Sequence, residues 1–280
     1  MNKIIKKDQL NPYVVRMEVE APYVAKKARA GQFVILRAAA DGERIPLTIN
    51  DYNREKGTVS IVFQIIGAST MQLNALEEGQ YIQDLVGPLG RPTRTEGLTK
   101  VAVVGGGVGC AIAYPVARQL HEEGCTVHVI AGFRNKDLVV LEPEMQAVSD
   151  RCIYVTDDGS YGTKGLVTTA LEQLILDGEQ YDEVIAIGPV IMMKFVSLLT
   201  KKYNIKTIVS MNPIMIDGTG MCGGCRLTVD GQTKFACVDG PDFDAHQIDF
   251  DEVMSRNRRF ADQEKARRED TCNLFKKEGN

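Results

Sequence analysis

The sequence predicts an antiparallel β barrel followed by a doubly wound parallel α/β sheet, with a small cysteine-bearing lobe after the sheet's last strand. Three observations predict it. Up to about residue 97, short β-branched runs are separated by glycine turns, with a single good helix pattern among them. From Lys100 onward, short apolar runs alternate with helical segments, the mark of a doubly wound sheet. Beyond the last of these runs, Asp217, Cys222, Cys225 and Cys237 fall in a glycine-rich stretch.

In the first part, residues 1–97, Val14 to Val19 alternates, Phe33 to Arg37 is a compact apolar run, and Thr58 to Ile66 is a longer one. Gly31, Asp41-Gly42 and Gly57 are the turn signals between them. A helix is expected from Ser69 to Glu78, with Ser69 or Thr70 near its start and Gly79 just past its end. Strands with so few helices suit a small antiparallel barrel. In residues 98–211 the strands are Val101 to Val104, Thr126 to Ala131, Cys152 to Val155, Val184 to Ile187 and Thr207 to Ser210. Helices are expected up to about His121, from Gly165 to Leu176 and from Pro189 to Thr200. Residues 212–240 form the cysteine lobe, and 241–280 a charged tail that is helical from Asp251.

Composition excludes several classes. The 280 residues are 44% hydrophobic and 25% charged, as in soluble globular proteins. A net charge of −4 gives no sign of nucleic-acid binding. The start, Met1-Asn-Lys-Ile-Ile-Lys-Lys, lacks the charged-then-apolar pattern of a secretory leader. The uncharged stretch from Val101 to Ala117 is too short and glycine-rich for a membrane span. Seven cysteines, an odd number, argue against a disulfide framework and for a reducing, cytoplasmic compartment. His121, His128 and His246 show no paired spacing and are expected at the surface or at helix ends. The tail's arginines and lysines alternate with Asp and Glu, as on a solvated helix face.

The cysteine lobe carries the sharpest chemical signal. Plant-type two-iron ferredoxins space their ligands C-x4-C-x2-C with a distant fourth Cys. Here Cys222, Cys225 and Cys237 fill three of those places and Asp217 the first. Gly218, Gly220, Gly223 and Gly224 allow the backbone to wrap closely around inorganic sulfur. Asp230-Gly231 between two alternating segments is a hairpin signal, and the hairpin would carry Cys237 back beside Cys225. Zinc is the rival occupant, but structural zinc sites usually show two Cys/His pairs, and only one Cys-x2-Cys is present. Asp217 is either a ligand or an Asx-turn residue that opens the loop.

Two other segments suit nucleotides. Gly105, Gly106, Gly107, Val108 and Gly109 follow a strand and open a helix, where backbone N–H groups can meet a pyrophosphate. Cys110 takes the third glycine place of the dinucleotide pattern, and no acidic residue closes the second strand. In the barrel, Arg44-Ile-Pro46-Leu47-Thr48 offers a cation for phosphate and polar groups for a flavin ring, and Gly67-Ala-Ser69-Thr70 offers a helix start for an anion. A barrel before a nucleotide sheet suits a flavin on the first and a nicotinamide on the second.

With these segments in order, the chain resembles the ferredoxin–NADP reductase superfamily, in the branch that includes the dihydroorotate dehydrogenase electron-transfer subunit. The residues that carry the resemblance are Arg44 to Thr48, Gly67 to Thr70, Gly87-Pro-Leu-Gly90, Gly105 to Gly109, Asp157-Asp-Gly159-Ser160, Gly188-Pro189 with Met192-Met193, and the cysteine motif. The dihydroorotate branch has Cys where Asp217 stands. Asp there resembles the small subunits of NADH-dependent reduced ferredoxin:NADP oxidoreductases, also described as sulfide dehydrogenase small subunits. The resemblance implies FAD on the barrel, at Arg44, Pro46, Leu47, Thr48, Val62, Phe63, Gln64, Gly67, Ser69 and Thr70. It implies NAD(H) or NADP(H) on the sheet, at Gly105 to Gly109, Asp157, Gly159, Gly188, Pro189 and Met192. It further implies a [2Fe-2S] cluster on Asp217, Cys222, Cys225 and Cys237, with the chemistry borne by the flavin and no catalytic side chain. The partner would be a larger FAD and [4Fe-4S] subunit in a heterodimer, reaching ferredoxin indirectly, with neither nucleic acid nor membrane involved. The alternatives are a dihydroorotate-type electron-transfer subunit, a sulfide or polysulfide oxidoreductase small subunit, and a zinc-binding interaction subunit.

Overall fold

The computed structural model describes residues 2–278. The first part consists of β1 (Asn2–Asn11), β2 (Val14–Glu20), α1 (Pro22–Lys27), β3 (Phe33–Arg37), β4 (Ile45–Asn53), β5 (Thr58–Gln64), α2 (Ala68–Asn74), β6 (Tyr81–Ile82) and β7 (Asp84–Leu89). Its strands form an antiparallel, nearly closed barrel in the order β6-β1-β2-β5-β4-β3-β7. Alternation explains the closure: Ile4, Val15, Met17, Val34, Leu36, Ile61 and Phe63 point inward and are essentially buried. Strand β1 does not show in the hydropathy because Lys3, Lys6, Lys7 and Asp8 mask its alternation. Helix α2 stops short of the expected Glu78. Lys7 explains the early end: its Nζ donates to the Asn74 carbonyl (2.6 Å) and pairs with Glu77 (2.7 Å), and its N–H donates to Glu78 (2.9 Å).

The second part consists of β8 (Lys100–Gly106), α3 (Gly109–Glu122), β9 (Thr126–Phe133), α4 (Glu142–Ala147), β10 (Arg151–Thr156), β11 (Thr163–Lys164), α5 (Val167–Leu176), β12 (Glu183–Ile187), α6 (Val190–Lys202) and β13 (Thr207–Ser210). Neighbouring strands from β11 to β13 run parallel in the order β11-β10-β9-β8-β12-β13. Both faces are covered, so the central strands are continuous apolar runs. In β8, Val101 and Val103 pack with α3, while Ala102 and Val104 pack with residues of α5 and α6. The chain leaves β8 toward β9 and later returns to β8's other side as β12, which makes the β8/β12 boundary the switch point where such sheets bind ligands. His128 lies in the interior of this sheet, 6% exposed, with Nδ1 2.9 Å from the Tyr181 hydroxyl. It is therefore not the surface residue expected.

The last part contains β14 (Arg226–Val229), β15 (Gln232–Phe235), β16 (Asp242–Asp244), α7 (Phe250–Asn257) and α8 (Ala261–Glu278). The β14/β15 hairpin closes through Asp230 (φ 50°) and Gly231 (φ 68°), the left-handed pair of a type I′ turn. Residues 242–244, grouped by charge with the tail, instead pair antiparallel with β13 at the edge of the large sheet. Phe243 and Ala245 are buried there and offset the flanking aspartates. The tail helix is broken at Arg258–Phe260 into α7 and α8. From Ala261 to Asp270 α8 is exposed, but Thr271 is buried and Cys272 Sγ lies 3.8 Å from Met71 Sδ of α2, so the tail returns to the barrel. Among the described residues, no helix is long and apolar enough to cross a membrane.

Candidate functional site

Three loops define the site, beginning at the switch point. Gly106 packs so tightly that an added Cβ would lie 2.4 Å from Met192 Sδ, and one on Gly109 would lie 2.4 Å from the Ile187 carbonyl oxygen. Gly188 closes on Gly106 in the same way, at 3.1 Å. Gly107 differs: its φ is 57° and an added Cβ would meet nothing within 4 Å. The turn is thus locked on one side by Gly188, Pro189 and Met192 and open at Gly107, a cradle with room for a pyrophosphate. Cys110 is fully buried and its thiol is pushed up to about 12 by burial, so it is an inert packing residue beneath Gly105. Next to this turn, at the ends of β9 and β10, Asp158 accepts from the N–H and hydroxyl of Ser160 (2.9 and 2.7 Å), and the Ser160 hydroxyl accepts from the Lys136 N–H (2.8 Å). Asp157 and Gly159 are exposed on this rim. The buried Asn135 Oδ1 has no hydrogen-bond partner among the described residues.

On the barrel, Ile45 to Thr48 are only half-buried, whereas the following Ile49 and Asn50 are buried. Within that run Ile45 and Leu47 pack toward the barrel core, so Pro46 and Thr48 are the side chains on the strand's outer face, where a flat cofactor could lie. Val62 and Phe63 are buried, Phe63 in the barrel core, so the Phe63 ring faces away from any cofactor on the outside, while Gln64 stays half-exposed. The Thr70 hydroxyl is already engaged by the N–H groups of Gly67 (3.0 Å) and Ile66 (3.1 Å) as a local cap. Ser69 donates to Glu43 (3.1 Å). Arg44 reaches across to the lobe and donates from Nε to the Ile216 carbonyl at 2.6 Å.

Ile216 immediately precedes Asp217. The lobe brings its four expected donors together as two pairs. Cys225 and Cys237 are buried, with sulfurs 3.3 Å apart, too far for a disulfide. Burial, then the neighbouring Cys225 thiol, pushes Cys237 up to about 12. On the exposed side, Asp217 accepts from the N–H groups of Thr219 (2.9 Å) and Cys222 (2.8 Å), and the Cys222 side chain faces the same carboxylate. The Thr219 N–H first, and then Cys222, hold the Asp217 carboxyl below its usual range. Among the described residues, no three His, Cys, Asp or Glu side chains converge tightly enough to hold a single metal ion. A tetrahedral zinc site requires four donors at one point. Two donor pairs, Asp217 with Cys222 and Cys225 with Cys237, suit two irons joined by sulfide, so the donor set fits a two-iron cluster. Gly218 seats the loop on the barrel, where an added Cβ would lie 2.6 Å from Leu89 and 3.0 Å from Ile35.

Comparison with known proteins agrees with this geometry. Residues 212–249 match the iron–sulfur cluster binding domain of dihydroorotate dehydrogenase B, and residues 103–198 match the oxidoreductase NAD-binding domain. A dihydroorotate dehydrogenase B (NAD(+)) electron transfer subunit homolog from Thermotoga maritima is 45% identical, over 95% of this chain and 93% of its own length. The chain belongs to the family of these electron transfer subunits and their homologues. A Streptococcus pneumoniae electron transfer subunit is 32% identical over 86% of this chain and 97% of its own. A chain of the NADH-dependent reduced ferredoxin–NADP oxidoreductase, a structure solved for insights into flavin-based electron bifurcation, superposes with a TM-score of 0.92 at 42% identity, covering 96% of this chain and 97% of that one. As a member of this family the chain is a flavin-dependent oxidoreductase subunit of ferredoxin-reductase fold, served by FAD, an iron–sulfur cluster and NAD(P)H.

Two features of the site were not visible in the sequence. One is the Arg44–Ile216 contact, which joins residues far apart in the chain and has no local signature. The other is how Met192, which the resemblance implies for the nucleotide site, takes part: it walls the turn behind Gly106.

Proposed function

We propose that this family member exchanges hydride between NAD(H) and FAD and delivers electrons through its cluster to a larger FAD and [4Fe-4S] subunit, as part of a ferredoxin:NADP oxidoreductase in the cytoplasm. The observation that carries the reading is the 2.6 Å hydrogen bond from Arg44, in the proposed flavin motif, to Ile216, the residue before Asp217. It ties the flavin and cluster segments into one unit, so their spacing is fixed by the fold. The residues that would hold the flavin are Arg44, Pro46, Leu47, Thr48, Val62, Phe63 and Gln64, with Gly67, Ser69 and Thr70 for its phosphates; Phe63 acts through its backbone alone. Gly105 to Gly109 with Gly188, Pro189 and Met192 would hold the dinucleotide pyrophosphate, and Asp157 and Gly159 would lie along its ribose. Asp217 with Cys222, and Cys225 with Cys237, would be the paired cluster ligands. A bound flavin supplies the conversion between a hydride pair and single electrons. The chain's part is to place and shield these groups.

The test is anaerobic reduction of the purified chain by NADH or NADPH, followed in the visible spectrum. Flavin bleaching by NADH at a rate well above that with NADPH supports the reading, and a colourless zinc protein would overturn it. Because its cluster domain and relatives bear the dihydroorotate name, a dihydroorotate-type role is the second reading. Asp217, in place of the Cys of that branch, speaks against it. Dihydroorotate-dependent reduction in a reconstituted complex would favour it.

A further inference from the structure

Behind the cluster loop lies a cleft that none of the groups above uses. Pro213, Ile214 and Ile216 line it from the lobe, and Val253 and Phe260 line it from α7 and the segment after it. Arg226, Arg256 and Arg259 converge on it. Arg256 Nη2 donates to the Gly224 carbonyl and Arg226 Nη1 to the Gly223 carbonyl, both at 3.3 Å, so two guanidiniums rest on the turn between Cys222 and Cys225. Arg256 Nε is buried and has no hydrogen-bond partner among the described residues. The ion pairs of the described residues, such as Lys194 with Asp251 on α7, include none of the three arginines. Glu252, whose charge favours that of Arg256, accepts from the Thr228 N–H at 2.8 Å and forms no ion pair with it. Burial first, and then the like charges of Arg226 and Arg259, press against the charge on Arg256. A buried donor without a partner is destabilising. The three guanidiniums thus line the cleft without an ion-pair partner among the described residues.

The cleft measures about 130 Å³. Cofactor and small-molecule pockets run to roughly 300–1,000 Å³, so this one admits a side chain. Its surroundings are apolar and exposed: Ile216 is 48%, Phe260 43% and, across the lobe, Met221 89% exposed. Arginine, methionine and aromatic residues together are the composition of a protein–protein hot spot. A polyanion such as nucleic acid would need a cationic track, which this small cleft on a chain of net charge −4 does not offer.

We infer that this cleft receives an aspartate or glutamate side chain from the larger subunit, seated among Arg226, Arg256 and Arg259 with Ile216 and Phe260 as its apolar rim. The inference rests on the proposed function, which supplies that subunit. Docking here would place the partner against Gly223-Gly224, directly over the cluster turn, and the buried charge pair would set register as well as affinity.

The test titrates the full chain, loaded with FAD and cluster, with the separately purified larger subunit at low and moderate salt. Arg256→Ala with Arg259→Ala should weaken binding at least tenfold and flatten its salt dependence, with flavin and iron content unchanged. Variant binding within twofold of wild type, with the same salt dependence, would overturn the inference. Should the double variant lose iron, Arg259→Ala alone decides, since Arg259 is exposed and its loss should still weaken binding several-fold. Wild type that does not bind the larger subunit sinks the functional reading and this inference with it. Tight binding indifferent to the arginines sinks only the inference.

Discussion

At the nucleotide turn, Gly109 sits so close to β12 that an added Cβ would lie 2.4 Å from the Ile187 carbonyl oxygen; at the cluster turn, Gly223 would meet nothing nearer than 3.9 Å. Gly109 is needed for space, and Gly223, at φ 66°, for a left-handed backbone. The difference separates two ways of building a redox site. The nucleotide turn is held rigid by packing against Gly188 and Met192 before any ligand arrives. The cluster turn is shaped by its own hydrogen bonds to Asp217, with Cys225 and Cys237 paired in the buried side of the lobe.

The largest effect should come from the donors. Cys225→Ser should abolish the cluster, seen as loss of iron and of long-wavelength absorbance, while bound FAD and its reduction by NADH persist. Loss of flavin as well would show that the two regions are not separable. Gly109→Ala comes next. Overpacking against a backbone oxygen costs about 1–3 kcal/mol, which in a chain of this size lowers Tm by about 2–10 °C. Iron content should hold, and the KM for NADH should rise. Gly223→Ala is milder, because the left-handed conformation costs an L-residue about 1–2 kcal/mol and no neighbour obstructs it. Its effect should fall on cluster retention, with NADH binding unaltered. A Gly223→Ala protein that loses NADH affinity would erase the distinction between the turns. The smallest change is Asp217→Cys, which should retain the cluster and alter its EPR spectrum and midpoint potential. Unchanged values would leave Asp217 as a turn residue.

Legibility in the sequence follows the same divide. The parallel strands were readable because both faces of β8, β9 and β12 are buried and leave continuous apolar runs. The Asp230-Gly231 turn was readable because a two-residue left-handed turn has a narrow chemistry. Strand β1 was hidden by lysines, and β16 by aspartates that flank its one buried aromatic. The cysteine spacing announced a cluster, but not that Asp217 and Cys222 face one another while Cys225 and Cys237 form a buried pair. Nor could it show Arg44 reaching Ile216, since a contact between distant segments is a product of the finished fold.

In the proposed function, flavin and cluster segments form one electron path from the nicotinamide site to the lobe. Anaerobic titration of the purified chain with NADH, read by visible and EPR spectroscopy together, tests it most directly. Bleaching of the flavin should come together with a reduced two-iron signal that Cys225→Ser removes. Flavin bleaching with an EPR-silent, iron-free lobe in the intact wild-type protein would contradict it.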